Sequence, residues 1–187
     1  VGPEGSGKTT TLLAIHRLCR EPIRGPLRYL SSQHAPKTTS DLLTLELGAV
    51  RGLKTTAQLY TTPGNREGRG LLFRMIGGAT TIVFVADSQI SKVGLNLDFI
   101  YELRTNILTR ATIDGIAPPI VYQFNKIDLA STVEPERMAE ILGIEDEPYF
   151  TTAAIDGTGV FIPLKTAIER SIWFASSRQS AKVGVTA

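Results

Sequence analysis

At 187 residues with a formal net charge of +2, the chain is long enough for one well-buried core and too short for two ordinary domains. Hydrophobic residues at 42% and charged residues at 20% are ordinary globular usage, which excludes a disordered or fibrous chain. So small a charge, with no dense Lys or Arg run, leaves no footprint for nucleic acid or a membrane surface, and a single cysteine, Cys19, excludes an internal disulfide.

The chain opens on Gly2-Pro-Glu-Gly-Ser-Gly-Lys8-Thr9, directly after Val1. Such a loop needs a strand to hold it, so a strand upstream of residue 1 is expected. Thr9 to Arg20 carries Leu12, Leu13, Ile15, Leu18 and Cys19 near helical spacing, and Pro22 ends the pattern. Ser31 to Ser40 is polar, aperiodic and contains Pro36, which reads as a long loop of the kind that carries function. Leu42 to Gly48 and Leu53 to Thr61 read as an antiparallel hairpin around the turn-forming stretch 48–52.

Thr80 to Ala86 and Pro119 to Phe124 are short apolar runs rich in β-branched and aromatic residues, the mark of buried parallel strands. Between them, Leu97, Ile100, Leu103, Ile107 and Leu108 form a helical stripe within Leu95 to Thr112. Glu134 to Leu142 reads as a helix with Pro135 just inside its start, Pro148 to Ala154 as a last strand, and Gly159 to Ser176 as a closing helix. The alternation predicts an α/β fold with helices packed on a mostly parallel sheet. One domain is read over residues 1–178, with 179–187 as a short tail that carries no prenylation cysteine. No apolar run reaches bilayer-spanning length, and the cysteine usage fits a reducing cytoplasm.

The opening segment matches G-x-x-x-x-G-K-[ST] in full. Glycines let backbone N–H groups close around phosphates, the following helix start adds positive potential, Lys8 reaches the β- and γ-phosphates, and the Thr9 hydroxyl can ligate Mg²⁺. The alternative is a glycine-rich turn that happens to precede a helix. The complete match, with an amphipathic helix behind it, assigns Gly2, Glu4, Gly5, Ser6, Gly7, Lys8, Thr9 and Thr10 to the phosphates.

Asn125-Lys126-Ile127-Asp128 stands at the end of the apolar run 120–124, where ligands bind in open α/β sheets. A carboxylate at Asp128 accepts both the N1–H and the 2-amino group of guanine, a pair of donors that adenine lacks. Alone this tetrapeptide is an ordinary strand-end turn. Its place after a phosphate loop, with strand and helix between, makes it informative. His16 and His34 have no partners at metal-ligand spacing and are assigned no metal.

These two segments resemble the phosphate and guanine motifs of Ras-like P-loop GTPases. Leu59-Tyr-Thr-Thr-Pro-Gly64, Ile82-Val-Phe-Val-Ala-Asp-Ser88, Asn125 to Leu129 and Gly157-Thr-Gly-Val-Phe161 look more narrowly like the bacterial MglA group of polarity and gliding-motility switches. The resemblance implies a small G domain with a five- to six-stranded, mostly parallel sheet, one antiparallel hairpin strand, and helices on both faces. It implies GTP/GDP cycling with Mg²⁺, effector binding, and regulation by a roadblock-type homodimer, MglB. Gly64 would donate its N–H to the γ-phosphate. Thr61 stands where most small GTPases carry an Asp near the metal, and Ala153-Ala154 resembles the loop that supports guanine, with Ala154 offering its N–H to the base.

Two departures bear on catalysis. The family's water-positioning Gln falls on Asn65, one methylene shorter. Its arginine falls on Pro36 and its metal-ligating threonine on Lys37, with Thr38 and Thr39 alongside, so Thr38 joins Thr9 and Thr61 as a metal candidate. An arginine finger is worth about 10³ to 10⁵ in rate, so slow hydrolysis is expected from Lys8, Gly64 and Asn65 alone. Arg66, Arg69 and Arg74 follow Gly64 closely, as a replacement finger, a partner contact or, the favoured reading, the solvated face of a short helix. Three readings follow: a regulatory GTPase, a nucleotide-loaded scaffold that hydrolyses little, and an ATP-dependent enzyme sharing only the loop, which Asp128 disfavours.

Overall fold

The computed structural model describes residues 1–32, 35–50, 52–65, 67–114 and 117–183, with side chains described outside 31–39, 69, 71, 108, 110–114 and 178–183. In chain order the elements are α1 (Lys8–Leu18), β1 (Arg24–Ser32), β2 (Ala35–Val50), β3 (Leu53–Tyr60), α2 (Arg69–Ile76) and β4 (Ile82–Asp87). They continue with α3 (Val93–Asp114), β5 (Ile120–Asn125), α4 (Pro135–Leu142), β6 (Tyr149–Thr152) and α5 (Phe161–Val183). Because α5 runs to Val183, residues 179–183, read as part of the tail, are helical.

β4, β5 and β6 form a parallel sheet in that order, and alternation along its strands sends side chains to two cores. Phe84, Ala86, Tyr122 and Phe124 join Leu72 and Ile76 of α2, Leu103 of α3 and Met138 of α4 on one face. On the other side Leu12 and Ile15 of α1 meet Leu43 and Leu45 of β2 and Leu164 of α5. Helices therefore cover both faces, as an α/β pattern requires.

β1, β2 and β3 form a separate antiparallel sheet. Among the described residues six strands thus fall into two sheets, since β3 and β4 face each other across a channel of ≈990 Å³ instead of sharing ladder bonds. Val1 enters this channel beside β4, donating from its amine to Val83 O at 2.8 Å and accepting from Val85 N–H at 2.9 Å. That is the pattern of a parallel pair, and it launches the phosphate loop from the C-terminal end of β4.

Of the long loop expected over residues 31–40, residues 31–32 and 35–40 are instead strand, and 33–34 lie outside the described residues. Ser31 pairs with Thr39 and Ser32 with Ala35 in the β1–β2 ladder, and His34 lies outside the described residues. A ladder satisfies backbone N–H and C=O groups whatever side chains they carry, so a polar stretch becomes strand once the Leu27–Leu43 pairing fixes its register. β1 itself escaped the sequence pattern because it carries Pro26, which an edge strand tolerates.

Candidate nucleotide site

The glycines of the opening loop take backbone conformations that side chains resist. φ is 144° at Gly2, 76° at Gly5 and 97° at Gly7. Gly7 is also required by contact, since a Cβ there would lie 2.1 Å from Asn125 Nδ2. The loop ends on α1, whose first turn holds no acidic residue to compete for an anion. Inside the loop, Ser6 Oγ is buried without a hydrogen-bond partner, and Lys8 Nζ donates to Pro3 O at 2.7 Å. Burial lowers the Lys8 pKa to about 8, with the charge of Glu4 acting in the opposite direction. A cation held partly desolvated beside a glycine-rich loop at a helix start suits phosphate.

Asn125 ties this loop to the rest of the crevice. Its Nδ2 donates to Ser6 O at 2.9 Å, while its Oδ1 accepts from the Thr152 hydroxyl and from Ala154 N–H, both at 3.0 Å. Below it Gln123 Nε2 donates to Thr11 Oγ1 and Thr152 Oγ1, again at 3.0 Å. Asn125 and Gln123 are only 2% and 1% exposed, so each bond replaces one that water cannot supply. The Ala154 N–H, expected to face the base, is thus given to Asn125. Ala153 N–H goes to Thr158 O at 3.0 Å.

Lys126 adopts a φ of 71° and places its Nζ 2.6 Å from Oδ2 of the buried Asp87. That ion pair fixes the segment leaving β5. Asp128, two residues on, is exposed and makes no hydrogen bond or ion pair among the described residues, which leaves its carboxylate available to a ligand. Thr10 is half-buried at the start of α1.

On the switch side the structure reveals a residue that sequence reading missed. Asp41 Oδ2 accepts from the Thr9 hydroxyl at 2.7 Å and from the Thr61 hydroxyl at 3.0 Å. The hairpin register explains the meeting: one step beyond the Leu42–Tyr60 pair, Asp41 N–H donates to Thr61 Oγ1 at 2.8 Å and Thr61 N–H donates to Asp41 O at 2.9 Å. A buried carboxylate therefore stands where Thr61 had replaced one in the sequence motif. Thr38 lies in β2 with its side chain outside the described residues.

Gly64 packs against the phosphate loop so closely that a Cβ would lie 2.3 Å from Glu4 N and 2.4 Å from Pro3 C. Asn65 does not reach outward: its Oδ1 accepts from Gly68 N–H at 3.0 Å, closing the turn before α2. Arg66 and the Arg69 side chain lie outside the described residues, and Arg74 is exposed. Among the described residues no cluster of three or more His, Cys, Asp or Glu could hold a metal by itself, and no helix is long and apolar enough to cross a membrane.

Through Asn125 the phosphate loop and the strand-end segment of Asp128 become one crevice at the C-terminal edge of a parallel sheet, with a switch glycine laid on the loop. Fold and site together define a small Ras-like GTPase. No protein-family model matches the chain. It is 36% identical over 167 residues to the mutual gliding-motility protein MglA of Myxococcus xanthus (strain DK1622), which covers 88% of this chain and 84% of that protein. Among solved structures it resembles the Arl6 (BBS3) small GTPase of Trypanosoma brucei with the bound nucleotide analogue GppNp. That match has a TM-score of 0.64 and 22% identity over 91% of this chain and 93% of that one, a likeness of fold alone. The chain belongs to the MglA family of small GTPases, and it is a GTP-binding switch that hydrolyses GTP.

Proposed function

We propose that this GTPase holds GTP or GDP with Mg²⁺, reads guanine through Asp128, turns over slowly by itself, and controls polarity or motility in the cytoplasm by binding effectors. The observation that carries the reading is the Asn125 hub, which fixes the phosphate loop and the base segment in one frame through three hydrogen bonds. The gliding-motility name of the relative supports the process, and the same kinship supports an MglB-like homodimer as regulator.

For the cation, Thr9 and Asp41 offer hydroxyl and carboxylate oxygen on one point, with neither sulfur nor imidazole beside them, a donor set suited to Mg²⁺. When bound, the ion would neutralise charge on the phosphates. Thr61 orients Asp41 from the opposite strand, Lys8 would reach the terminal phosphates, and Gly64, which packs on the loop, would donate its N–H to the γ-phosphate.

The bond from Gly68 N–H to Asn65 Oδ1 favours slow hydrolysis, because the group expected to align water is engaged in a turn. It also supports a second reading, a scaffold that retains nucleotide with little turnover. Asp128→Asn tests the base assignment. The amide both donates and accepts, so xanthosine nucleotides should then outcompete guanosine ones, and an unchanged base preference would remove Asp128 as the reader.

A further inference from the structure

Glu4 is the third residue of the phosphate loop and the one exposed carboxylate within it, and it makes no hydrogen bond or ion pair among the described residues. Its backbone forms the seam with the second switch, since a Cβ on Gly64 would fall 2.3 Å from Glu4 N and 2.7 Å from Glu4 Cα. The neighbouring carboxylate, Asp41, is taken up by the hydroxyls of Thr9 and Thr61. Glu4 is not taken up in this way. Its charge is nonetheless felt by the loop's cation, for it opposes the effect of burial on Lys8.

A third phosphate would lie between Lys8, which turns into the loop, and Gly64, which closes over it. The Glu4 backbone borders the same seam, its Cα 2.7 Å from where a Cβ on Gly64 would stand. A diphosphate lacks the group that Gly64 would bind, so it feels the Glu4 carboxylate less. We propose that Glu4 is a specificity-determining residue for the terminal phosphate, holding the protein toward the GDP state by like-charge repulsion of GTP. The inference rests on the guanine-nucleotide reading of the site. Two unit charges about 6 Å apart, at effective dielectrics between those of a protein surface and water, change an affinity roughly 3- to 100-fold. Exposure places Glu4 toward the lower part of that range.

The test measures dissociation constants of the full chain for GDP and for a non-hydrolysable GTP analogue, by calorimetry at low and high salt. Glu4→Gln keeps the shape and removes the charge; Glu4→Asp keeps the charge. In Glu4→Gln the analogue should bind about tenfold more tightly, with a clearly smaller gain for GDP, while Glu4→Asp retains the wild-type ratio. High salt should shrink the wild-type preference and leave that of Glu4→Gln unmoved, which a purely structural role at the seam would not produce. An analogue-to-GDP ratio equal in wild type and Glu4→Gln, with both folded by their melting curves, overturns the inference alone. Wild type that binds neither nucleotide overturns the nucleotide reading and this inference with it.

Discussion

The two sides of the crevice are built differently. On the base side, Asn125, Gln123, Thr152 and the loop carbonyl of Ser6 form a buried network with every bond between 2.9 and 3.0 Å. On the switch side the parts have been exchanged: Asp41 comes from β2 to meet Thr61, and Asn65 turns back onto Gly68. The contrast teaches that holding a nucleotide and hydrolysing it are separable requirements. Holding needs a rigid, satisfied frame, whereas phosphoryl transfer needs particular groups aimed at the reacting oxygen.

Breaking the rigid side should have the largest effect. Asn125→Ala leaves Ser6 O, the Thr152 hydroxyl and Ala154 N–H short of a buried partner. At about 1–3 kcal/mol for each unsatisfied group, and allowing for non-additivity, a loss of about 3 kcal/mol is expected in denaturant unfolding. Nucleotide binding should fall with it. A variant as stable as wild type that still binds GDP would show that the network does not hold the frame.

Next in size is the pH response of Lys8. Its folded pKa, lowered by burial to about 8, lies below the ordinary 10.5. In that window the unfolded chain binds the extra proton, so the Lys8 contribution to stability rises from pH 8 to 10.5 in the nucleotide-free protein. Phosphates favour the charged amine, so binding takes up a proton above pH 8, and affinity should fall by up to about tenfold per pH unit. Calorimetry in buffers of different ionisation heat reads that uptake directly. Lys8→Ala should abolish it.

The smallest effect sharpens the switch side. Asn65→Gln gives up the turn to Gly68, a loss of about 1 kcal/mol by analogy with helix caps. The longer side chain can reach a water at the phosphate, and a tenfold faster single turnover would correspond to roughly 1.4 kcal/mol of transition-state stabilisation. No rate gain, even with a regulator present, would mean that the switch side is disabled at more than this residue.

Much of the base side was legible in the sequence, because its residues act where local pattern places them. Gly2 to Thr9 carries its own spacing, and Asn125 to Asp128 follows an apolar run that could only be a strand end. The switch side was less legible. Asp41 owes its role to pairing with Thr61, which depends on a hairpin register that polar residues 38–41 do not advertise. The same polarity made residues 31–40 read as loop, when the described ones among them, 31–32 and 35–40, are strand. Ala154 was expected to offer its N–H to the base, and only three dimensions reveal that this N–H serves Asn125.

The separation of holding from hydrolysis is tested most directly by measuring both on one sample of wild-type protein: GDP affinity against an ATP competitor, and single-turnover GTP hydrolysis without a partner. The account predicts guanine-selective binding together with hydrolysis no faster than on the order of 10⁻³ s⁻¹, the range of an isolated small GTPase without an arginine finger. Rapid turnover by the isolated protein, or equal binding of ATP, would contradict it.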